Sequence, residues 1–103
     1  MSEDDTKELT IDVKELSIEK DQHVDDLLRF LEEQLPQIEI SRRGNEVGLV
    51  IPHQMSKRAI KLRLKKFLHR KNLAEKFRPI SYKSLDNQGY MIKEKKSLEL
   101  TYY

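Results

Sequence analysis

Apolar residues recur along this chain with two periods, and the switches between them mark its elements. Leu9, Ile11 and Val13 alternate with Thr10, Asp12 and Lys14, the period of a strand with one buried face. From Asp21 the period becomes helical: Val24, Leu27, Leu28, Leu31 and Leu35 form one stripe. Asp21 is the expected N-cap and Pro36 the stop. Ile38 and Ile40 alternate again, Arg42-Arg43-Gly44-Asn45 makes a tight turn, and Val47, Leu49 and Ile51 return. Glycine in such a turn is a hairpin signal, though the residue order is not that of an ideal type I′ turn. Gly48 is expected at a bulge or a close backbone approach. A second helical stripe follows at Ile60, Leu64, Phe67 and Leu68. Ser56 is its expected N-cap, Met55 and Ile60 hold the hydrophobic-staple positions, and Asn72 suits its left-handed end. The spacing predicts about sixteen residues of helix, roughly 24 Å long.

Phe77 to Tyr82 then reads as a strand, with Pro79 pushing it toward a sheet edge or a bulge. Residues 84–96 read as an extended hairpin excursion with turn chemistry at Asp86-Asn87-Gln88-Gly89. It holds Tyr90, Met91 and Ile92 beside Lys93, Lys95 and Lys96, the composition of an added contact arm. Leu98, Leu100 and Tyr102 alternate as a last strand, and residues 1–6 are polar and expected to fray. The element order is therefore β-α-β-β-α-β-β. Two helices with one stripe each should pack on one face of a mostly antiparallel sheet, an α+β two-layer sandwich.

Charge singles out the second helix. From Met55 to Asn72 the chain carries Lys57, Arg58, Lys61, Arg63, Lys65, Lys66, Arg70 and Lys71 and no acid. Like charges three and four apart repel on a helix surface, so a segment that keeps them all points to a polyanionic partner. With Ile60 as origin, Arg58, Lys65, Lys66 and His69 fall on the far side, and Leu62 lies alone among them. The net charge of +2 conceals a wider division. Residues 1–39 hold four basic and thirteen acidic side chains; residues 40–103 hold sixteen and five. Such segregation points to nucleic acid or an anionic surface, with the acidic half turned away.

One hundred and three residues fit a single domain able to bury a core. Cysteine is absent, which removes disulfides and thiolate metal sites. The longest apolar run is far too short to span a membrane and no signal peptide precedes Leu9, so the chain reads as intracellular and soluble. With three glycines, no phosphate-cradling loop can be built. His23, His53 and His69 are not at metal-ligand spacing. His53 beside Ser56 reads as a polar residue before a helix cap rather than a nucleophile pair. Asp25, Asp26, Glu32 and Glu33 read as a solvated helix face rather than an acid/base pair. Tyr82, Tyr90, Tyr102 and Tyr103 could stack on bases, though cross-strand packing is the commoner use of such residues.

Three stretches, Ser56-Lys57-Arg58, Lys65-Lys66-Phe67-Leu68 and Asn72-Leu73, resemble the signature helix of the eukaryotic-type large-subunit ribosomal protein family numbered twenty-two, which is unrelated to its bacterial namesake. The strand Leu9–Val13, Phe30-Leu31 at the end of the first helix, the hairpin at 38–51 and a final Leu-Glu-Leu-Thr-Tyr-Tyr fall in the family's order. The likeness thus covers nearly the whole chain, with residue-level matching in the basic helix alone. It implies a small α/β sandwich that binds ribosomal RNA on the large subunit, in the cytoplasm, beside neighbouring ribosomal proteins. It implies RNA contacts from Lys57, Arg58, Lys61, Lys65 and Lys66, and from Arg70, where the family also tends to be basic. Arg42 and Arg43 at the hairpin tip are expected to assist. The chain departs from the family in lacking a basic N-terminal extension and an acidic C-terminal tail, and in a longer last hairpin, features that suggest a compact archaeal relative. No enzyme activity, cofactor, metal, membrane or small-molecule substrate is expected. The competing reading is a non-ribosomal regulator that uses the same amphipathic helix on a protein groove or an anionic surface. That reading needs the apolar stripe free.

Overall fold

The computed structural model describes residues 6–83 and 88–95. Their elements run β1 (Thr6–Asp12), α1 (Lys14–Glu19), α2 (Asp21–Gln34), β2 (Glu39–Arg43), β3 (Glu46–Pro52), α3 (Lys57–Arg70), β4 (Phe77–Lys83) and β5 (Gln88–Glu94). The sheet order is β2-β3-β1-β5-β4. Three pairings are antiparallel, and β1 with β5 is parallel. The architecture is mixed α+β, as expected, but the order differs in two ways.

The first difference is α1, a short helix that the strand-then-helix pattern passed over. Asp12 accepts a hydrogen bond from the Lys14 backbone N–H at 2.9 Å, and Leu16 is the one residue of α1 that is fully buried. One apolar anchor in six residues leaves no period to read. Its arrival also moves the cap of α2 to Lys20, leaving Asp21 as the first helical residue.

The second difference concerns residues 84–96. Gln88–Glu94 is no excursion but a full strand, paired with both β4 and β1. Tyr90 and Ile92 are buried in the core, so the expected contact arm does not exist in that form. The turn signal at 86–89 obscured this, because Gly89 belongs to the strand. A Cβ at Gly89 would lie 1.8 Å from the Thr10 carbonyl oxygen. Only glycine lets β5 come that close to β1. The anticipated strand at Leu98–Tyr102 and the ends of the 84–96 segment lie outside the described residues, as do residues 1–5.

The β2–β3 hairpin forms where the alternation put it, with Arg43 opposite Glu46 around Gly44-Asn45. Gly44 has φ +60° and Asn45 does not share the positive φ, the arrangement of a type II′ turn. The register passes through Gly48 without interruption, so that glycine marks no bulge. Pro79 stands on the edge strand β4, where its missing N–H breaks no ladder on the outer side.

Register places Leu9 beside Leu49, and Ile11 between Val47 and Tyr90. These residues face the helices and join Val24, Leu27, Leu31, Ile60, Leu64 and Phe67 in one core. The helices share one side of the sheet: α2 lies toward β2 and α3 toward β4. Thr10, Gly48, Gly89 and Tyr82 form a row on the opposite face.

Candidate functional site

The site is built on α3, whose ends are well defined. Ser56 has an extended backbone, and its Oγ accepts from the Ala59 N–H at 3.2 Å. Met55 is half-buried against the core, in keeping with its staple position. At the other end Asn72 takes φ +61°. Its N–H donates to the His69 carbonyl at 3.2 Å, and the Leu73 N–H donates to the Leu68 carbonyl at 2.7 Å. The two bonds make a Schellman motif, and Leu73 is itself buried beside Leu68 in the core. A helix stopped at both ends holds its side chains at fixed azimuths.

Those azimuths separate the two faces sharply. Ile60 and Leu64 are 0% exposed, Phe67 and Leu68 1%. Phe67 packs on Phe30 of α2, with centroids 5.6 Å apart and planes tilted by 52°. Arg58, Leu62, Lys65, Lys66 and His69 are exposed on the far side. Leu62 retains 52% of its surface. No cation of α3 forms a salt bridge among the described residues.

The expected RNA-binding residues do not all share that face. Arg58, Lys65 and Lys66 do. Lys57 is half-buried on the flank toward β5, its ammonium 5.7 Å from the Tyr90 ring centre. The Tyr90 hydroxyl donates to the Lys57 carbonyl at 2.9 Å, so this tyrosine ties the helix to the sheet and offers no free stacking surface. Its burial also pushes the hydroxyl pKa up. Lys61 is half-buried. Arg70 turns toward α2 and lies 5.7 Å from the Phe30 ring centre.

Arg42 and Arg43 belong elsewhere. Both sit on β2, the sheet edge opposite β4. Arg42 shares the helix-side face with Val47 and is committed to α2: its guanidinium meets Asp21 at 2.9 Å and Asp25 at 3.5 Å. Its Nε donates to the Gly44 carbonyl. Arg43, one residue on, points to the other face. Adjacent strand residues cannot work as a pair at one surface.

The acidic face of α2 is less free than its composition suggests. Asp25 meets Arg42, and Asp26 meets Lys71 at 3.2 Å, while Glu32 and Glu33 stay exposed. Hydrogen bonds from Arg42 and Ser17 hold the Asp21 carboxyl below its ordinary pKa. Gln22, then Lys71, do the same for Asp26, and Lys76 for Glu19. A carboxylate with a lowered folded pKa adds stability above its unfolded pKa and loses it as pH falls through the folded value. The thermal midpoint should therefore drop on acidification below about pH 4. The change should be modest, because these pairs are exposed and screened. Arg42→Gln should flatten part of that acid limb in melts run from pH 7 to pH 2; an unchanged acid limb would show that Arg42 does not stabilise the Asp21 carboxylate.

Beside the outward face of α3 lies a groove of ≈ 490 Å³, closed on its other side by β4. Leu62, Leu68, Phe77 and Pro79 supply apolar walls, and Lys65, Lys66, Arg78 and Lys95 supply charge with no carboxylate among the described residues. Lys95 donates to the Ala74 carbonyl at 2.7 Å. Arg78 was not among the residues expected from the sequence, and Lys95 was expected only as part of the contact arm at 84–96. Alternation around the buried Phe77 and Pro79 turns the Arg78 side chain to the sheet face away from α3, and only the packing of α3 on β4 brings that residue to the edge of the groove. Among the described residues no group of His, Asp and Glu is placed to hold a metal ion. Among the described residues no helix is long and apolar enough to cross a membrane.

No protein-family model matches the chain, and no curated protein matches it in sequence.

Proposed function

We propose that this chain is a structural RNA-binding protein of the large ribosomal subunit, as its likeness to the ribosomal family numbered twenty-two implies, and that α3 docks on ribosomal RNA. The observation that carries this reading is the division of α3. Its apolar stripe is fully used by the core, so what remains on the far side is Arg58, Lys65, Lys66 and His69 with Leu62 alone among them, and the helix carries no acid to neutralise the cations. A regulator that inserted the stripe into a protein groove or a bilayer would have to strip Phe67 and Leu64 from the core first. A phosphate backbone needs only the outward cations.

The RNA-binding set is Arg58, Lys65 and Lys66 at the centre, with Lys57 and Lys61 on the sheet flank and Arg70 on the α2 flank. Arg42 and Arg43 stand outside it. The offset of α3 toward β4 and of α2 toward β2 lets RNA reach the basic helix while keeping its distance from Glu32 and Glu33. The protein would sit on cytoplasmic ribosomes beside other ribosomal proteins.

The test is co-sedimentation of the native protein with large subunits and its release by high salt. Lys65→Ala with Lys66→Ala should weaken binding while the circular dichroism and melt stay native. Each phosphate that the variant no longer neutralises should flatten the dependence of log K on log salt by about 0.7–0.9. A folded double variant with unchanged affinity and slope would overturn the reading.

A further inference from the structure

Leu62 is the odd residue of the outward face. It is exposed at the centre of a helix surface that is otherwise cationic. A regular RNA duplex presents phosphates and sugars there, and a leucine gains little from either. Leu62 instead forms one wall of the groove between α3 and β4, facing Pro79 and Phe77 of the edge strand. The walls are apolar, the rim is lysine and arginine from three separate segments, and no acid lines it among the described residues.

Resting on the proposed RNA-binding reading, we infer that this groove receives a single unpaired base of the bound RNA, with its flanking phosphates held by Lys65 and Lys66. A nucleotide turned out of its stack is the ligand that is apolar and flat at one end and anionic at the other. Bases so displaced are held by apolar and aromatic side chains. The walls here are Leu62 and Pro79, with Phe77 and Leu68 at the floor. An acidic peptide would match the rim but carries its charge where the groove is apolar. An acyl chain would match the wall but would meet four cations at the mouth. The placement is specific to the tertiary structure, since α3 and β4 become the two sides of one groove only when the helix packs on that edge strand.

The experiment uses the full chain and three short RNAs of equal length: a fully paired stem, the same stem with one unpaired nucleotide, and that stem with the unpaired site abasic. Binding is followed by fluorescence anisotropy at two salt concentrations. Wild type should prefer the unpaired-nucleotide stem over the paired one by about tenfold, the order of effect seen for one stacked base. The abasic stem should fall back to the paired level. Leu62→Ala, at an exposed position that tolerates alanine, should abolish the preference while leaving paired-stem affinity and salt slope as in wild type. Lys65→Ala with Lys66→Ala should instead lower affinity for all three and flatten the slope. Equal binding of the paired and unpaired stems by wild type, or a preference that survives in Leu62→Ala, would overturn the groove assignment while leaving α3 as an RNA-binding helix. Tighter binding to vesicles of anionic phospholipid than to any of the RNAs would overturn both readings.

Discussion

Phe67→Ala should lower stability by about 3–5 kcal/mol, the usual loss when a buried phenylalanine is truncated. The ring is 1% exposed, packs against Phe30, and sits where α2, α3 and the sheet meet. Removing it leaves a cavity between two helices joined otherwise by surface contacts, Arg70 over the Phe30 ring and Lys71 with Asp26. Against roughly 5–15 kcal/mol for a whole domain, this is a large share. At about 4–8 °C per kcal/mol for a chain of this size, the thermal midpoint should fall by more than about 12 °C. A fall of one or two degrees would mean that the ring is exposed in solution. The apolar stripe would then be free for a peptide groove or a membrane surface, and the proposed function would lose its main support.

Gly89→Ala should be at least as damaging, and by another route. The added Cβ would meet the backbone of Thr10, with its oxygen at 1.8 Å and its carbonyl carbon at 2.7 Å. Neither is the end of a flexible side chain, so β1 and β5 must move apart. Their parallel pairing spans only Thr10 to Asp12 against Gly89 to Met91, which leaves little to hold it once Gly89 shifts. That pairing joins β4 and β5 to the rest of the sheet, and with them the wall of the groove beside α3. The expected result is loss of the cooperative melt, or rapid amide exchange across β4 and β5 with slower exchange kept in β1–β3. Gly48→Ala is the control. A Cβ there meets Ser41 Oγ at 3.4 Å, ordinary contact, and the midpoint should hardly change. Native protection of β4 and β5 in Gly89→Ala would show that the close approach to Thr10 is relieved in solution.

The basic helix was legible because every cue for it is local. The stripe at Ile60, Leu64, Phe67 and Leu68, the cap at Ser56 and the stop at Asn72 lie within one run of sequence, and each took the role its chemistry allows. The same holds for the β2–β3 hairpin, where alternation and a two-residue turn define register on their own. The exposed cations Arg58, Lys65 and Lys66 followed from the helix period alone, since azimuth on a helix is set by spacing.

Three features depended on partners distant in the chain. Strand β5 is a strand because β1 accepts it, and β1 accepts it because position 89 has no side chain; nothing near Gly89 announces Thr10. Arg42 and Arg43 look like one basic pair in sequence, yet the pleat sends them to opposite faces, and the acids of α2 then claim Arg42. The groove exists because α3 lies on the β4 side of the sheet, which sets Lys65 and Lys66 across from Pro79 and beside Lys95. Sequence by itself thus determined which helix is cationic and which of its faces is buried. Tertiary structure alone decided which cations share a surface and that an exposed leucine has walls opposite it, because sheet order is set by long-range backbone pairing, which local period does not encode.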